Sequence, residues 1–140
     1  MGCVSSQGRG RNTVSNNGTP VVAVLDDDDS VRRAIRRLLR AAGFAVETFS
    51  SGGEFLRSLQ RRRPDAVVLD LHMPGMSGFD VQARLAQMGE RIPVVCITGT
   101  DGPNDRDRAI AGGAAAYLQK PPDGPALLDA VAAAVVRAKA

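Results

Sequence analysis

The stretch "VVAVLDDDDSVRRAIRRLL", residues 21–39, changes character twice. It opens with an unbroken run of β-branched and aliphatic residues, Val21 to Leu25, as expected of a strand covered on both faces. Four consecutive carboxylates follow, Asp26 to Asp29. Then Val31, Ile35, Leu38 and Leu39 recur at helical spacing, with Arg32, Arg33, Arg36, Arg37 and Arg40 on the polar side. A buried strand, an acidic turn and an amphipathic helix make a βα unit. Like charges this close disfavour joint ionisation, so the acidic run needs a use. Asp28 and Asp29 fall where the helix begins, near the positive end of its dipole, and one of them or Ser30 can cap its free amides. Asp26 and Asp27 are left at the strand's end.

The same alternation continues outward. "FAVETF" (44–49) reads as a second strand after a Gly43 helix end. Phe55, Leu56 and Leu59 mark a helix running through "QRRR" to Pro64. "AVVLDL" (66–71) is a second continuous apolar strand, carrying Asp70, and "HMPGMSG" (72–78) is a loop of turn residues. Val81, Leu85 and Met88 give the next helix, "IPVVCIT" (92–98) a strand, and "NDRDRAIAGG" a short helix. "AAYLQK" (115–120) is a shorter strand, and Leu127, Leu128, Val131 and Val135 line a last helix. Five βα units in series predict an α/β, doubly wound parallel sheet with helices on both faces. Residues 1–19, rich in Gly, Ser and Asn, are read as a disordered tail, and 20–138 as the folded domain.

Composition narrows the function classes. No apolar stretch approaches the length of a membrane span, and the N-terminus lacks the apolar centre of a secretory signal. "MGCVSS" fits an acylation pattern too short to carry weight, and a tail without that function is the reading taken. The two cysteines, Cys3 and Cys96, lie far apart, and His72 is the only histidine, so neither a disulfide framework nor a zinc site is expected. A cytoplasmic protein is expected. The net charge of +3 comes largely from arginines at helical spacing, read as solvated helix faces and not as a nucleic-acid patch.

Crossovers are right-handed, so the C-terminal ends of the strands share one edge, where open α/β sheets place their sites. That edge collects Asp26, Asp27, Asp70, Thr98 and Lys120. An oxygen-only carboxylate cluster suits Mg²⁺. A lysine beside it marks a phosphate-handling site, in which a carboxylate can serve as nucleophile. Asp70 is the candidate.

These residues occur in "VVAVLDDDDSVRRAIRRLL", "PDAVVLDLHMPGMSGFD", "IPVVCITG" and "AIAGGAAAYLQKP", which in this order resemble the receiver domain of bacterial response regulators over residues 20–138. The resemblance implies a (βα)5 flavodoxin-like fold with strand order 2-1-3-4-5. It implies phosphorylation of Asp70 by a sensor histidine kinase or a histidine phosphotransfer protein, with Thr98 and Lys120 contacting the phosphoryl group. Mg²⁺ would be held by Asp26, Asp27, Asp70 and the backbone carbonyl of His72. Thr98 and Tyr117 would form the switch, Tyr117 turning inward as Thr98 moves. The protein would then be a signalling switch with weak self-catalysed phosphorylation and autodephosphorylation, and not a metabolic enzyme. A downstream effector protein would read the face of the fourth helix, fifth strand and fifth helix. No direct contact with DNA or membrane is expected, and homodimerisation on phosphorylation stays open. His72 and Thr100, two residues after Asp70 and Thr98, would flank the attacking water and tune the acyl-phosphate lifetime. The sequence is read as a stand-alone receiver, although the closing "RAKA" also fits the start of a linker. Two rivals are a Mg²⁺-dependent phosphohydrolase with an aspartate nucleophile and an unphosphorylated interaction module. The first usually carries an acid where His72 stands. The second leaves the intact acidic set unexplained.

Overall fold

The computed structural model describes residues 18–100 and 102–139. Most of the tail read over 1–19, with its acylation pattern, lies outside the described residues. Among the described residues ten elements alternate: β1 (Val21–Leu25), α1 (Asp29–Ala41), β2 (Ala45–Phe49), α2 (Gly52–Ser58), β3 (Ala66–Asp70), α3 (Gly78–Gln87), β4 (Val94–Thr98), α4 (Asp105–Ala111), β5 (Ala116–Gln119) and α5 (Gly124–Lys139). The five strands pair in parallel in the order β2-β1-β3-β4-β5, which is the expected 2-1-3-4-5 topology.

The continuous apolar runs become the three central strands, β1, β3 and β4, each buried along its whole length. Their side chains alternate between two layers. Ala23, Leu25, Val67, Leu69, Val94 and Cys96 meet the Phe55, Phe79, Val81 and Leu85 side of the molecule. Val22, Val24, Val68, Val95 and Ile97 meet Ile35, Leu39, Leu127 and Val131. Each large apolar side chain so covered contributes about 1.5–3 kcal/mol of transfer free energy. Cys96 lies in this core, and burial pushes its thiol up to about 12, so it acts as a small hydrophobe.

Among the described residues no helix is long and apolar enough to cross a membrane. The helix expected to run to Pro64 is shorter. α2 ends at Ser58, whose hydroxyl donates to the Phe55 carbonyl at 2.6 Å. The arginines beyond it serve as surface anchors, Arg62 to Glu47 at 2.9 Å and Arg63 to Glu90 at 2.7 Å. On α1, Arg33, Arg36, Arg37 and Arg40 are exposed as expected, but Arg32 folds inward.

Candidate functional site

The acidic run divides between two tasks. Asp28 is the N-cap of α1, its carboxylate accepting from the amides of Ser30 at 2.9 Å and Val31 at 3.3 Å. The Ser30 hydroxyl and these amides hold its carboxyl below the usual range. Asp29 stands in the first turn of the helix. Asp26 is tied on three sides. Its amide donates to the Phe49 carbonyl, its Oδ1 accepts from the Asp28 amide at 2.9 Å, and its carbonyl accepts from Arg32 Nη1 at 2.7 Å. Arg32 also pairs with Asp29 at 3.0 Å, so one guanidinium braces the whole turn. These bonds leave Asp26 Oδ2 wholly buried with no aligned hydrogen bond, facing the Lys120 ammonium as an ion pair at 2.7 Å.

Asp70 ends β3 and is 2 % exposed. Its Oδ1 accepts from the His72 amide at 3.2 Å, and its Oδ2 lies 3.3 Å from Lys120 Nζ. Burial, reinforced by the Asp26 charge and opposed by Lys120, pushes the Asp70 carboxyl up to about 6. Burial alone would lower the Lys120 ammonium, but the close carboxylates of Asp26 and Asp70 outweigh it and leave the group above its ordinary value. The lysine is therefore a fixed cation between two acids. Its amide donates to the Thr98 carbonyl at 2.8 Å, which sets its stem at the end of β5.

The loop after Asp70 turns back through Gly75, which adopts φ +75. It brings the start of α3 against the phosphoacceptor candidate. The Gly78 amide donates to the Leu71 carbonyl at 3.0 Å, and a Cβ at position 78 would collide with the Asp70 carbonyl oxygen and stand 2.8 Å from Leu71 Cα. Only glycine permits this approach. Ser77 and Asp80 close the helix start with a reciprocal capping box.

Thr98 ends β4 and is fully buried. Its hydroxyl donates to the Thr100 carbonyl at 2.6 Å and accepts from the Thr100 amide at 3.2 Å. Tyr117 is already inside, 9 % exposed in the core layer with Phe79 and Ala109, with the Arg106 guanidinium 5.7 Å from its ring centroid. The imidazole of His72 bonds Asp105 at 2.8 Å.

Oxygens of Asp26, Asp27 and Asp70 lie within 4.8 Å of one another. The donor set is all oxygen, Asp27 is exposed to supply an entry side, and the buried Asp26 Oδ2 has the Lys120 ammonium as its partner. These residues fit a hard divalent cation such as Mg²⁺. The sequence reading missed Arg32, Gly78 and Asp105. Arg32 sits one helical turn into α1 and carried no signal apart from its neighbours. The other two act through contacts that only the folded chain creates.

The family description "Response regulator receiver domain" matches residues 22–132. Response regulator protein TodT of Pseudomonas putida is 40% identical over 115 residues, covering 82% of this chain and 51% of that protein. Nodulation protein W of Bradyrhizobium diazoefficiens is 41% identical over 117 residues, 84% of this chain and 52% of its own length. The chain thus spans about half the length of these curated relatives. The crystal structure of a response regulator receiver protein from Burkholderia phymatum is similar with a TM-score of 0.76 at 48% identity, over 84% of this chain and 95% of that one. With the acidic edge and the sheet order already established, the chain belongs to the response regulator receiver domain family, the phosphorylation-based signalling module of two-component systems.

Proposed function

We propose that this chain accepts a phosphoryl group on Asp70 from a histidine kinase or a histidine phosphotransfer protein, and that the modified domain offers an altered α4–β5–α5 face to an effector protein. The observation that supports this most is the placement of Lys120 Nζ between Asp26 Oδ2 and Asp70 Oδ2, at 2.7 and 3.3 Å. A nucleophilic carboxylate needs its charge held ready and a cation beside the incoming phosphoryl oxygens, and this arrangement supplies both.

Asp26, Asp27 and Asp70, with the His72 backbone carbonyl, would hold Mg²⁺, as this family typically does. When bound, the ion offsets negative charge on the transferring phosphoryl group. The remaining steps belong to the chain. Asp70 Oδ attacks phosphorus, a new O–P bond forms, and the P–N bond of a phosphohistidine or the P–O bond of acetyl phosphate breaks. Lys120 neutralises the phosphoryl oxygens. The Thr98 hydroxyl leaves the Thr100 carbonyl to donate to one of them, which releases the turn after β4 and lets the pocket around Tyr117 respond. Hydrolysis reverses the modification as water attacks phosphorus and returns the carboxylate. The protein acts as a switch whose only chemistry is on itself.

The test is intact mass after incubation with acetyl phosphate and Mg²⁺. The wild type should gain one phosphoryl group only when Mg²⁺ is present, and Asp70→Asn should gain none. Mg²⁺-independent uptake, or uptake undiminished in the variant, would refute the assignment.

A further inference from the structure

α4 is a short helix with weak local support. It has seven residues, and its N-cap residue Asn104 makes no side-chain capping bond. Helices this short depend on tertiary contacts for their position. Three contacts fasten one side of α4 to the segment that follows Asp70. His72 Nε2 donates to Asp105 Oδ2 at 2.8 Å, the Arg108 guanidinium lies 4.0 Å from the Phe79 ring centroid, and Gln82 Nε2 donates to the Ala109 carbonyl at 2.9 Å. The His72 ring also meets Phe79 edge to face, centroids 6.1 Å apart.

Asp105 does more than hold the histidine. The same Oδ2 accepts from the Gly102 amide at 3.0 Å, while the Asp105 amide donates to the Gly102 carbonyl at 3.2 Å. The segment after β4 is therefore pinned at both ends. Thr98 and Thr100 close one end, and Asp105 closes the other and ties it across to His72. The far end of this segment is anchored to the loop that follows Asp70.

We infer that Asp105 is a positioning residue for phosphoryl transfer, and that the His72–Asp105 bond is a clasp holding the segment after β4 in the arrangement that keeps the Thr98 hydroxyl on the Thr100 carbonyl. The inference rests on the reading of Asp70 given above. The clasp opposes uptake, since it is made in the arrangement with Thr98 bound to Thr100 and is strained or lost when Thr98 moves. A partly exposed pair of this kind is modest in strength, so its removal should speed uptake about two- to five-fold.

The experiment measures initial rates of phosphoryl uptake from acetyl phosphate with Mg²⁺ by intact mass. Wild type, Asp105→Ala, His72→Ala and the double variant are compared. Both single variants should be faster than wild type, and the double no faster than the faster single, since one bond is lost in all three. A merely structural role for Asp105 would slow uptake in step with lost stability. Equal or slower uptake in Asp105→Ala, or single effects that multiply in the double, would overturn the clasp. Amide hydrogen exchange over residues 99–105 without any phosphoryl donor is the independent readout. It should speed up in His72→Ala, and unchanged exchange there would also overturn the clasp. Absence of uptake by the wild type would instead refute the reading of Asp70, while the exchange measurement still decides the clasp.

Discussion

The two ends of the sheet both bury aspartates, and the two ends use them differently. At the N-terminal end, Asp65 is 8 % exposed, its Oδ2 accepts from the Val21 amide at 2.8 Å, and its own amide donates to the Val21 carbonyl at 2.7 Å. The carboxylate is spent on closing β1 against the start of β3. At the C-terminal end, Asp26 and Asp70 are buried as deeply, yet one oxygen of each is turned to the Lys120 ammonium, at 2.7 and 3.3 Å. Burial of an acid is therefore no sign of chemistry by itself. What marks the C-terminal edge is two buried carboxylates sharing one cation, held in place by neighbours that satisfy their other atoms.

The largest effect that separates the two ends is expected at Asp65. Asp65→Ala leaves the wholly buried Val21 amide without its acceptor. Such a loss costs about 2–3 kcal/mol. Urea unfolding should show that drop, while phosphoryl uptake by the folded fraction stays at the wild-type rate. Lost uptake without lost stability would erase the distinction between a structural acid and a reactive one.

The contrast also shows what could be read before folding. The apolar runs of β1, β3 and β4 and the acids at their ends declare themselves because strand burial and chain direction are local properties. The split of the acidic run was half legible, since Asp28, Asp29 and Ser30 were equal as caps until the φ, ψ of Asp28 placed it outside the helix. Asp65 gave no signal, because its partner lies 44 residues away across the sheet. Gly78 looked like one turn glycine among several, and only the approach of α3 to the Asp70 carbonyl makes it obligatory. The bond from His72 to Asp105 spans 33 residues and needs β3 and β4 to lie side by side. Length of α2 was overestimated because an arginine run favours a helix locally, while here Arg62 and Arg63 are drawn to Glu47 and Glu90.

A second test works in the opposite direction. Asp70 is raised from 3.8 to about 6, so in the metal-free protein its ionised form at neutral pH opposes folding. The unfolded chain gives up this proton near 3.8 and the folded chain only near 6. Wild-type stability linked to this group is thus fully present below the lower value and lost as pH rises through the upper one. Asp70→Asn should then stabilise the metal-free protein at pH 7.5 by about 1–3 kcal/mol. The advantage should shrink through the window between about 6 and 3.8 and vanish below it. Thermal unfolding of both proteins across that range checks the sign. A destabilised variant at neutral pH would mean that Lys120 outweighs burial at this site. Asp65→Asn, by contrast, should not stabilise the protein, because its carboxylate already accepts the buried Val21 amide.

The smallest effect tests neighbours in the acidic run itself. Asp28 caps α1, and Asp28→Ala should lower stability to the same extent whether or not Mg²⁺ is present. Asp27 is exposed and makes no hydrogen bond or ion pair of its own among the described residues. Asp27→Ala should leave metal-free stability within a few tenths of a kcal/mol of wild type. Its effect should appear when Mg²⁺ is added. A cation that binds only the folded state raises the melting temperature with concentration, and that rise should shift to higher Mg²⁺ in Asp27→Ala but not in Asp28→Ala. Titrating Mg²⁺ against melting temperature for both variants compares two adjacent carboxylates in one unchanged fold. If both titrations shift alike, the cap and the cation share ligands, and the division drawn between the helix start and the crevice fails at its narrowest point. If only Asp27 shifts, one peptide bond separates an acid that the helix has consumed from an acid left open for a metal.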